Sequence, residues 1–244
     1  MQMSKSVAVV LAAGQGKRMN STVQKQYLLI QNKPVLYYSL KAFEDSFIDE
    51  IILVVGSGEK EYCQTEIVNQ YGFSKVTHIV EGGKERYHSV FHGLQAAQEC
   101  FVGDGKEYVF IHDGARPFVT LEILERAYQN VKEYGACVVG MPVKDTIKIA
   151  NADKFVETTP KRDDVWLVQT PQVFSYALVY KAYQKLMEEE NNLLAQGIFI
   201  TDDTMVVEYF TQNTIKLVQG SYENIKITTP EDLQIAETFL NKNK

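Results

Sequence analysis

The stretch that decides the fold runs Ser6-Val7-Ala8-Val9-Val10-Leu11-Ala12-Ala13-Gly14-Gln15-Gly16-Lys17-Arg18-Met19. An apolar run without polar alternation suits a strand covered on both faces, the situation of a parallel strand. It is too short for a signal-peptide core and leads into a glycine turn instead of a cleavage site. A buried strand followed at once by a glycine turn is how an α/β ligand-binding unit begins, so the same alternation is sought along the rest of the chain.

It recurs. Val7–Leu11, Ile51–Val55, Val76–Val80, Tyr108–Ile111 and Ala136–Val139 are rich in Val and Ile and read as strands. Pro34 is placed as a first-turn proline, and Val35, Leu36, Leu40 and Phe43 line one side of the helix after it. Residues 59–70, 87–99 and 121–134 read as helices too, the last stopped by Gly135. Strand–helix alternation with short links predicts a doubly wound α/β fold: a mostly parallel, Rossmann-like sheet with right-handed crossovers. Its ligand is expected beyond the carboxyl ends of the strands.

The regularity breaks after Pro142. Residues 146–150 and 155–159 flank the polar turn Asn151-Ala152-Asp153-Lys154, a β-hairpin signature inserted into the α/β pattern. A lone two-stranded ribbon is marginal in water, so this arm, at about 143–165, is expected to pack against something, a second subunit in particular. Helices near 176–190 and 203–210, strands near 215–218 and 225–228, and a last helix opened by Thr229 and Pro230 complete the expectation. The whole chain, 1–244, is read as one domain carrying an arm.

With 244 residues, 45% hydrophobic and 23% charged, the chain is neither disordered nor disulfide-built, and its net charge of −6 argues against duplex nucleic acid as a partner. No stretch reaches the roughly 20 apolar residues that span a bilayer. Cys63, Cys100 and Cys137 form no CxxC pair, so a reduced, cytoplasmic setting is expected.

Three groups carry chemistry. In the first, small residues from Ala12 to Gly16 let backbone amides converge as a nest for phosphate oxygens, with Lys17, Arg18 and Lys25 beside them. A dinucleotide fingerprint would need glycine where Met19 stands, and a P-loop would need Gly-Lys-Ser/Thr after a longer loop. The second group, His112-Asp113-Gly114-Ala115-Arg116-Pro117, ends the 108–111 strand. Asp113 there either caps a turn or holds Mg²⁺ against phosphates, and the first group favours the metal. Arg116 is expected to clamp a second anion with its planar fork. The third group, Glu81-Gly82-Gly83-Lys84-Glu85-Arg86-Tyr87-His88-Ser89, is another glycine turn leading into a helix and suits an anion or the polar edge of a base. His88 and His92 lie four apart, but the residues between them supply no catalytic glutamate; packing or surface roles are expected of both.

Ala12 to Met19 with Lys25-Gln26-Tyr27 resembles the signature of nucleotidyltransferases that activate sugar or polyol phosphates. Asp113 to Pro117, Asp145-Thr146, Arg162 with Trp166, Gln169-Thr170-Pro171-Gln172, Thr201-Asp202 and Asn224-Ile225-Lys226 narrow the resemblance to the 2-C-methyl-D-erythritol 4-phosphate cytidylyltransferase family, in order from Val7 to Leu240. The resemblance implies that Arg18 and Lys25 stabilise charge on the α-phosphate of CTP and that Asp113 binds Mg²⁺. It implies that Ala12, Ala13, Gly14 and Gly16, with Gly83 and Ser89, hold the nucleotide. It puts Arg116, Thr146, Arg162, Thr201 and Lys226 around the polyol phosphate, Arg162 and Lys226 counting among the catalytic cations. It also implies a homodimer in which the arm is exchanged and Arg162 serves the partner's site, although here Pro160-Lys161 precedes that arginine.

The chemistry agrees. A phosphate monoester is ionised near neutral pH and needs no general base; the difficulty is bringing two polyanions together, which calls for cations and positioning. Two alternatives remain at this level, a ribitol 5-phosphate cytidylyltransferase and a CTP-binding sensor without turnover. A dehydrogenase fits less well, because the nicotinamide fingerprint is broken at Met19.

Overall fold

The computed structural model describes residues 4–14, 16, 23–101, 103 and 105–242. The opening run forms β1 (Ser6–Ala12). After one helical turn over Lys25–Tyr27 and a small ribbon of β2 (Leu29–Ile30) and β3 (Lys33–Pro34), strands and helices alternate. They are α1 (Val35–Glu44), β4 (Glu50–Val55), α2 (Lys60–Tyr62, prolonged by a π-helical stretch over Cys63–Asn69), β5 (Val76–Glu81), α3 (Arg86–Ala97), β6 (Tyr108–Asp113), α4 (Leu121–Tyr134) and β7 (Ala136–Pro142). The hairpin follows as β8 (Ile149–Ala150) and β9 (Val156–Thr158). The chain ends with β10 (Trp166–Ser175), α5 (Tyr176–Ala195), α6 (Asp203–Phe210), β11 (Lys216–Gln219) and α7 (Pro230–Lys242).

Seven strands form one sheet in the order β11-β7-β10-β6-β1-β4-β5, with only β10 antiparallel to its neighbours. From β1 the chain winds outward through β4 and β5, then returns across β1 to β6. The crevice at the carboxyl ends of β1 and β6 is therefore the switch point, where Leu11 pairs with Asp113.

The apolar runs are continuous because both faces of the sheet are covered. Ala8, Val10 and Ala12 pack with Leu36, Leu40 and Phe43 of α1 and with Ile123, Leu124 and Val131 of α4. Val7 and Val9 pack on the opposite side with Val90 and Leu94 of α3, Val179 and Tyr183 of α5, and Val206 of α6. Gly135 closes α4 at φ +75°, a conformation a Cβ would disfavour.

Four features differ from the sequence reading. β10 was not expected, since Pro171 within it cannot donate to a ladder. Its register against β7 shifts between Val168 and Gln172, and that irregularity accommodates the proline inside a central strand. Residues 225–228, expected as a strand, are irregular and tied down by the Ile227 amide donating to the Ala115 carbonyl (2.8 Å). The last helix does begin at Pro230, but Asp232 caps it from inside, its carboxylate accepting from the Thr228 and Thr229 amides (2.7 and 2.8 Å). The hairpin strands are shorter than expected, and the arm holds Phe155 and Val156 out at 72% and 61% exposure.

Helix α3 lies against the sheet at Gly93. A Cβ there would stand 2.4 Å from Val9 Cγ1 and 3.0 Å from Val54 Cγ2. Alanine would gain about 1 kcal/mol of helix propensity and lose about 1–3 kcal/mol to overpacking. Gly93→Ala is therefore expected to lower the urea midpoint of unfolding; an unchanged or raised midpoint would mean that α3 shifts freely on the sheet.

Candidate active site

Three loops leave the carboxyl ends of β1, β5 and β6 and meet around one cavity of about 590 Å³. The first is fixed by the turn over Lys25–Tyr27. Gln26 is buried and its Nε2 donates to the Ala12 carbonyl at 2.6 Å. Tyr27 donates to Glu59 Oε2 at 2.8 Å and stacks edge-on against Tyr62. With both neighbours locked, Lys25 is presented to the cavity, where Ala12, Ala13, Gly14 and Gly16 also lie.

The second loop is the Gly82-Gly83 turn. A Cβ on Gly82 would stand 2.5 Å from Ala13 Cβ and 2.6 Å from Ser89 Oγ, so glycine is what lets the two turns touch. Ser89 Oγ accepts from the Gly83 amide (3.1 Å) and donates to the Glu85 carbonyl (3.3 Å), shaping the wall at the start of α3. Glu85 and His88 form a capping box there, and His88 Nε2 faces Glu190 at 3.3 Å. His92 is exposed, its Nδ1 2.9 Å from the Glu81 carbonyl.

The third loop carries Asp113, whose amide donates to Thr170 Oγ1 (3.1 Å). Its carboxylate is 8% exposed as a residue and meets three cations: Lys226 Nζ at 2.8 Å from Oδ2, Arg116 Nε at 3.7 Å from Oδ2, and Arg86 Nε at 3.5 Å from Oδ1. Burial by itself would raise the Asp113 carboxyl; the charges of Arg86, Lys226 and Arg116 outweigh it and hold the group well below the usual carboxylate range. Lys226 arrives through the Ile227–Ala115 bond and through buried Asn224, whose Nδ2 donates to the Thr170 carbonyl (2.9 Å) and Gln169 Oε1 (3.2 Å).

Ala12, Ala13, Gly14, Gly16, Lys25, Gly83, Ser89, Asp113 and Lys226 thus line one cavity. Arg18 and Lys17 lie outside the described residues. Arg116 differs from the expectation of an open clamp: its guanidinium is mostly buried behind the lining and donates to the Asn224 carbonyl at 2.8 Å. Thr146 and Arg162 sit exposed on the arm segment, Arg162 donating to the Lys144 carbonyl at 3.2 Å, and Thr201 is exposed just before α6, its hydroxyl 3.7 Å from Met205 Sδ. Within a single chain these three are not brought to the cavity lining. Conversely, Arg86 and Gln26 line it and were given no role from sequence; a lone arginine after a glycine turn was the available signal for the first.

One other group of potential metal ligands stands out among the described residues: Glu50, His78 and Cys100, at the amino end of β4 and beside it. Lys5 already pairs with Glu50, and His78 Nε2 lies 3.3 Å from Glu99 Oε2, so two of the three groups have protein partners.

A glycine turn at the switch point of a doubly wound sheet, with an ionised aspartate and lysines around the same cavity, defines an α/β nucleotidyltransferase. The sequence matches the IspD family, 2-C-methyl-D-erythritol 4-phosphate cytidylyltransferase, over residues 6–242, and the chain belongs to that family. It is 50% identical over 242 residues to the 2-C-methyl-D-erythritol 4-phosphate cytidylyltransferase of Lachnoclostridium phytofermentans, covering 99% of both chains. It is 47% identical over 243 residues to that of Clostridium kluyveri, again covering 99% of each. Among solved structures, 4-diphosphocytidyl-2C-methyl-D-erythritol synthase from Anaerococcus prevotii superposes with a TM-score of 0.81 at 32% identity, over 98% of this chain and 96% of that one. The Francisella tularensis cytidylyltransferase gives 0.76 at 29% identity, over 96% and 99%.

His112, fully buried behind Asp113, bonds the Thr170 hydroxyl through Nδ1 (3.1 Å) and the Arg116 carbonyl through Nε2 (3.1 Å). Burial lowers its pKa from 6.5 to about 4, so the folded chain holds it neutral while the unfolded chain protonates. The stabilisation is complete above pH 6.5 and is lost as pH falls from 6.5 toward 4, by about 3 kcal/mol. Urea titrations from pH 7 to 4.5 in metal-free buffer should show that loss, and His112→Gln should remove most of it; an equal loss in the variant would acquit the histidine.

Proposed function

We propose that this chain catalyses transfer of the cytidylyl group of CTP to 2-C-methyl-D-erythritol 4-phosphate, a step of isoprenoid precursor synthesis. A phosphate oxygen of the acceptor attacks the α-phosphorus of CTP in line. A new P–O bond forms, the bond to the bridging α–β oxygen breaks, and pyrophosphate leaves with the electron pair. The observation that carries this reading is the single cavity lined by Lys25, Lys226, Arg86 and Asp113 together with the β1 glycine turn.

The acceptor phosphate is ionised at neutral pH and supplies its own nucleophile. The residues therefore have to bind, orient and neutralise. Backbone amides of Ala13, Gly14 and Gly16 suit phosphate oxygens, and the Gly83–Ser89 wall suits the base. Lys25 and Lys226 stabilise charge that develops on the α-phosphate and the leaving group. Lys226 would turn from Asp113 to a phosphate as the nucleotide enters. Asp113 also fits a divalent cation: it is an ionised carboxylate of the lining, beside the β1 glycine turn, and Mg²⁺ is typically held by one or two carboxylates together with substrate phosphates. Held by Asp113, Mg²⁺ would neutralise phosphate charge during transfer.

The arm supports a homodimer. Phe155, Val156 and Ile149 on it, and Leu167 and Val168 at its base, are each exposed, and a two-stranded ribbon in water is marginal without a partner. An exchanged arm would bring Arg162 and Thr146 to the partner's acceptor site. A cytoplasmic setting suits three buried, unpaired thiols, Cys63, Cys100 and Cys137.

Pyrophosphate release with CTP and 2-C-methyl-D-erythritol 4-phosphate should be well above that with ribitol 5-phosphate and should stop on chelation of divalent cations; release with neither acceptor would overturn the reading. Lys25→Ala should lower kcat by about 10²–10³ with an unchanged melting temperature. Near-native turnover would take Lys25 out of the reaction. Mixing inactive Lys25→Ala with inactive Arg162→Ala chains under subunit exchange should restore a fraction of the activity. If arms are not exchanged, the mixture stays as inactive as its components.

A further inference from the structure

Arg86 is the cation of the cavity that cannot move. Each of its two terminal nitrogens donates to Asp203, Nη1 to Oδ1 at 2.7 Å and Nη2 to Oδ2 at 2.8 Å. Asp203 is completely buried at the start of α6 and also accepts the hydroxyl of completely buried Tyr183 at 2.6 Å. With the fork occupied from behind, the Nε edge is what remains for the cavity, and it lies 3.5 Å from Asp113 Oδ1. Turning that guanidinium toward a phosphate would break two charge-assisted bonds and leave a buried carboxylate unpaired.

Lys226 is the opposite kind of partner. It is a point charge on a flexible stem, its side chain one-third exposed, and it lies on the irregular segment before α7. An entering triphosphate competes with Asp113 for that ammonium. Once Lys226 turns, Asp113 keeps only partners on rigid supports, and Arg86 alone among them faces Oδ1.

We propose that Arg86 is a positioning residue that holds Asp113 in place while Lys226 exchanges its carboxylate partner for the nucleotide, and that Asp203 and Tyr183 fix Arg86 from outside the cavity. The proposal deepens the reading of the site given above. It explains why the position requires a planar fork with a free edge: a lysine could carry the charge but could not hold both carboxylates in fixed directions. It also gives the start of α6 a part in the nucleotide half of the site. Asp202, which caps α6, accepts from Gln172 Nε2 (3.0 Å), and the Thr204 amide donates to Gln172 Oε1 (2.9 Å), so α6 is referenced to β10.

The test uses the full chain with Arg86→Lys, Asp203→Asn, the double variant and Tyr183→Phe. Turnover is measured per CTP-binding site, so that misfolded protein is not counted, and CTP affinity is measured by calorimetry without acceptor, with and without Mg²⁺. Arg86→Lys and Asp203→Asn are each expected to lower kcat per site about 10–100-fold, the scale for removing a residue that orients a site ligand. The double variant should be no worse than the poorer single. Mg²⁺ should strengthen CTP binding less in both variants than in the parent, approaching its effect in Asp113→Asn.

Unchanged kcat per site in Asp203→Asn, or losses that multiply in the double variant, would overturn the proposal. If Asp203→Asn does not fold, Tyr183→Phe decides: it keeps every charge and removes one hydroxyl, and an unaltered kcat per site with an unaltered Mg²⁺ effect sinks the idea. Should the parent chain bind CTP but turn over no polyol phosphate, the activity assignment fails while the Mg²⁺-dependent affinities still judge Arg86.

Discussion

The carboxylate of Asp113 is the point around which this site is built. A buried anion without counter-charge is strongly disfavoured, and three cations from three separate stretches of chain converge on this one. Arg86 comes from the first turn of α3, Arg116 from the turn after β6, and Lys226 from the segment before α7. The anion needs them to stay ionised, and the same cations give the cavity the local positive field a triphosphate requires. A net charge of −6 over the whole chain is no obstacle, because the field in a concave, partly desolvated pocket is set by the groups lining it.

Much of the surrounding sequence is scaffold for that arrangement. The stretch Gln169-Thr170-Pro171-Gln172 is not itself part of the cavity lining, yet it holds the groups around it. Thr170 receives the Asp113 amide, Gln169 and the Thr170 carbonyl receive Asn224, and Gln172 receives the amide of Thr204 at α6. The irregular register around Pro171 in β10 turns these side chains and carbonyls to either side within a central strand. Gln26 and Tyr27 do the same for Lys25, one bonded to β1 and the other to Glu59. Such polar contacts cost little when complete and much when broken, so they confer a single geometry on loops that would otherwise have many.

The division between wall and arm has a physical basis as well. Residues on the ends of β1, β5 and β6 are fixed by the sheet ladder and by packing on both faces, so one chain brings them together. Thr146 and Arg162 belong to a ribbon that leaves the sheet and exposes its apolar side chains, and nothing within one chain brings them back to the cavity lining.

The sequence by itself determined the alternation of buried strands and helices, because uninterrupted Val and Ile runs admit little else, and it located the glycine turns and Asp113 at strand ends. It marked Gly135 as a helix stop and the Asn151–Lys154 turn as a hairpin, both matters of local backbone chemistry. Only the tertiary structure decided that Pro171 sits in a central strand, that Arg116 turns inward to Asn224, and that Arg86 bridges Asp113 and Asp203. Those outcomes depend on partners as many as 117 positions apart in the chain. Propensity and spacing act over a few residues, whereas a buried charge chooses its partner only after the sheet has brought distant loops to one place.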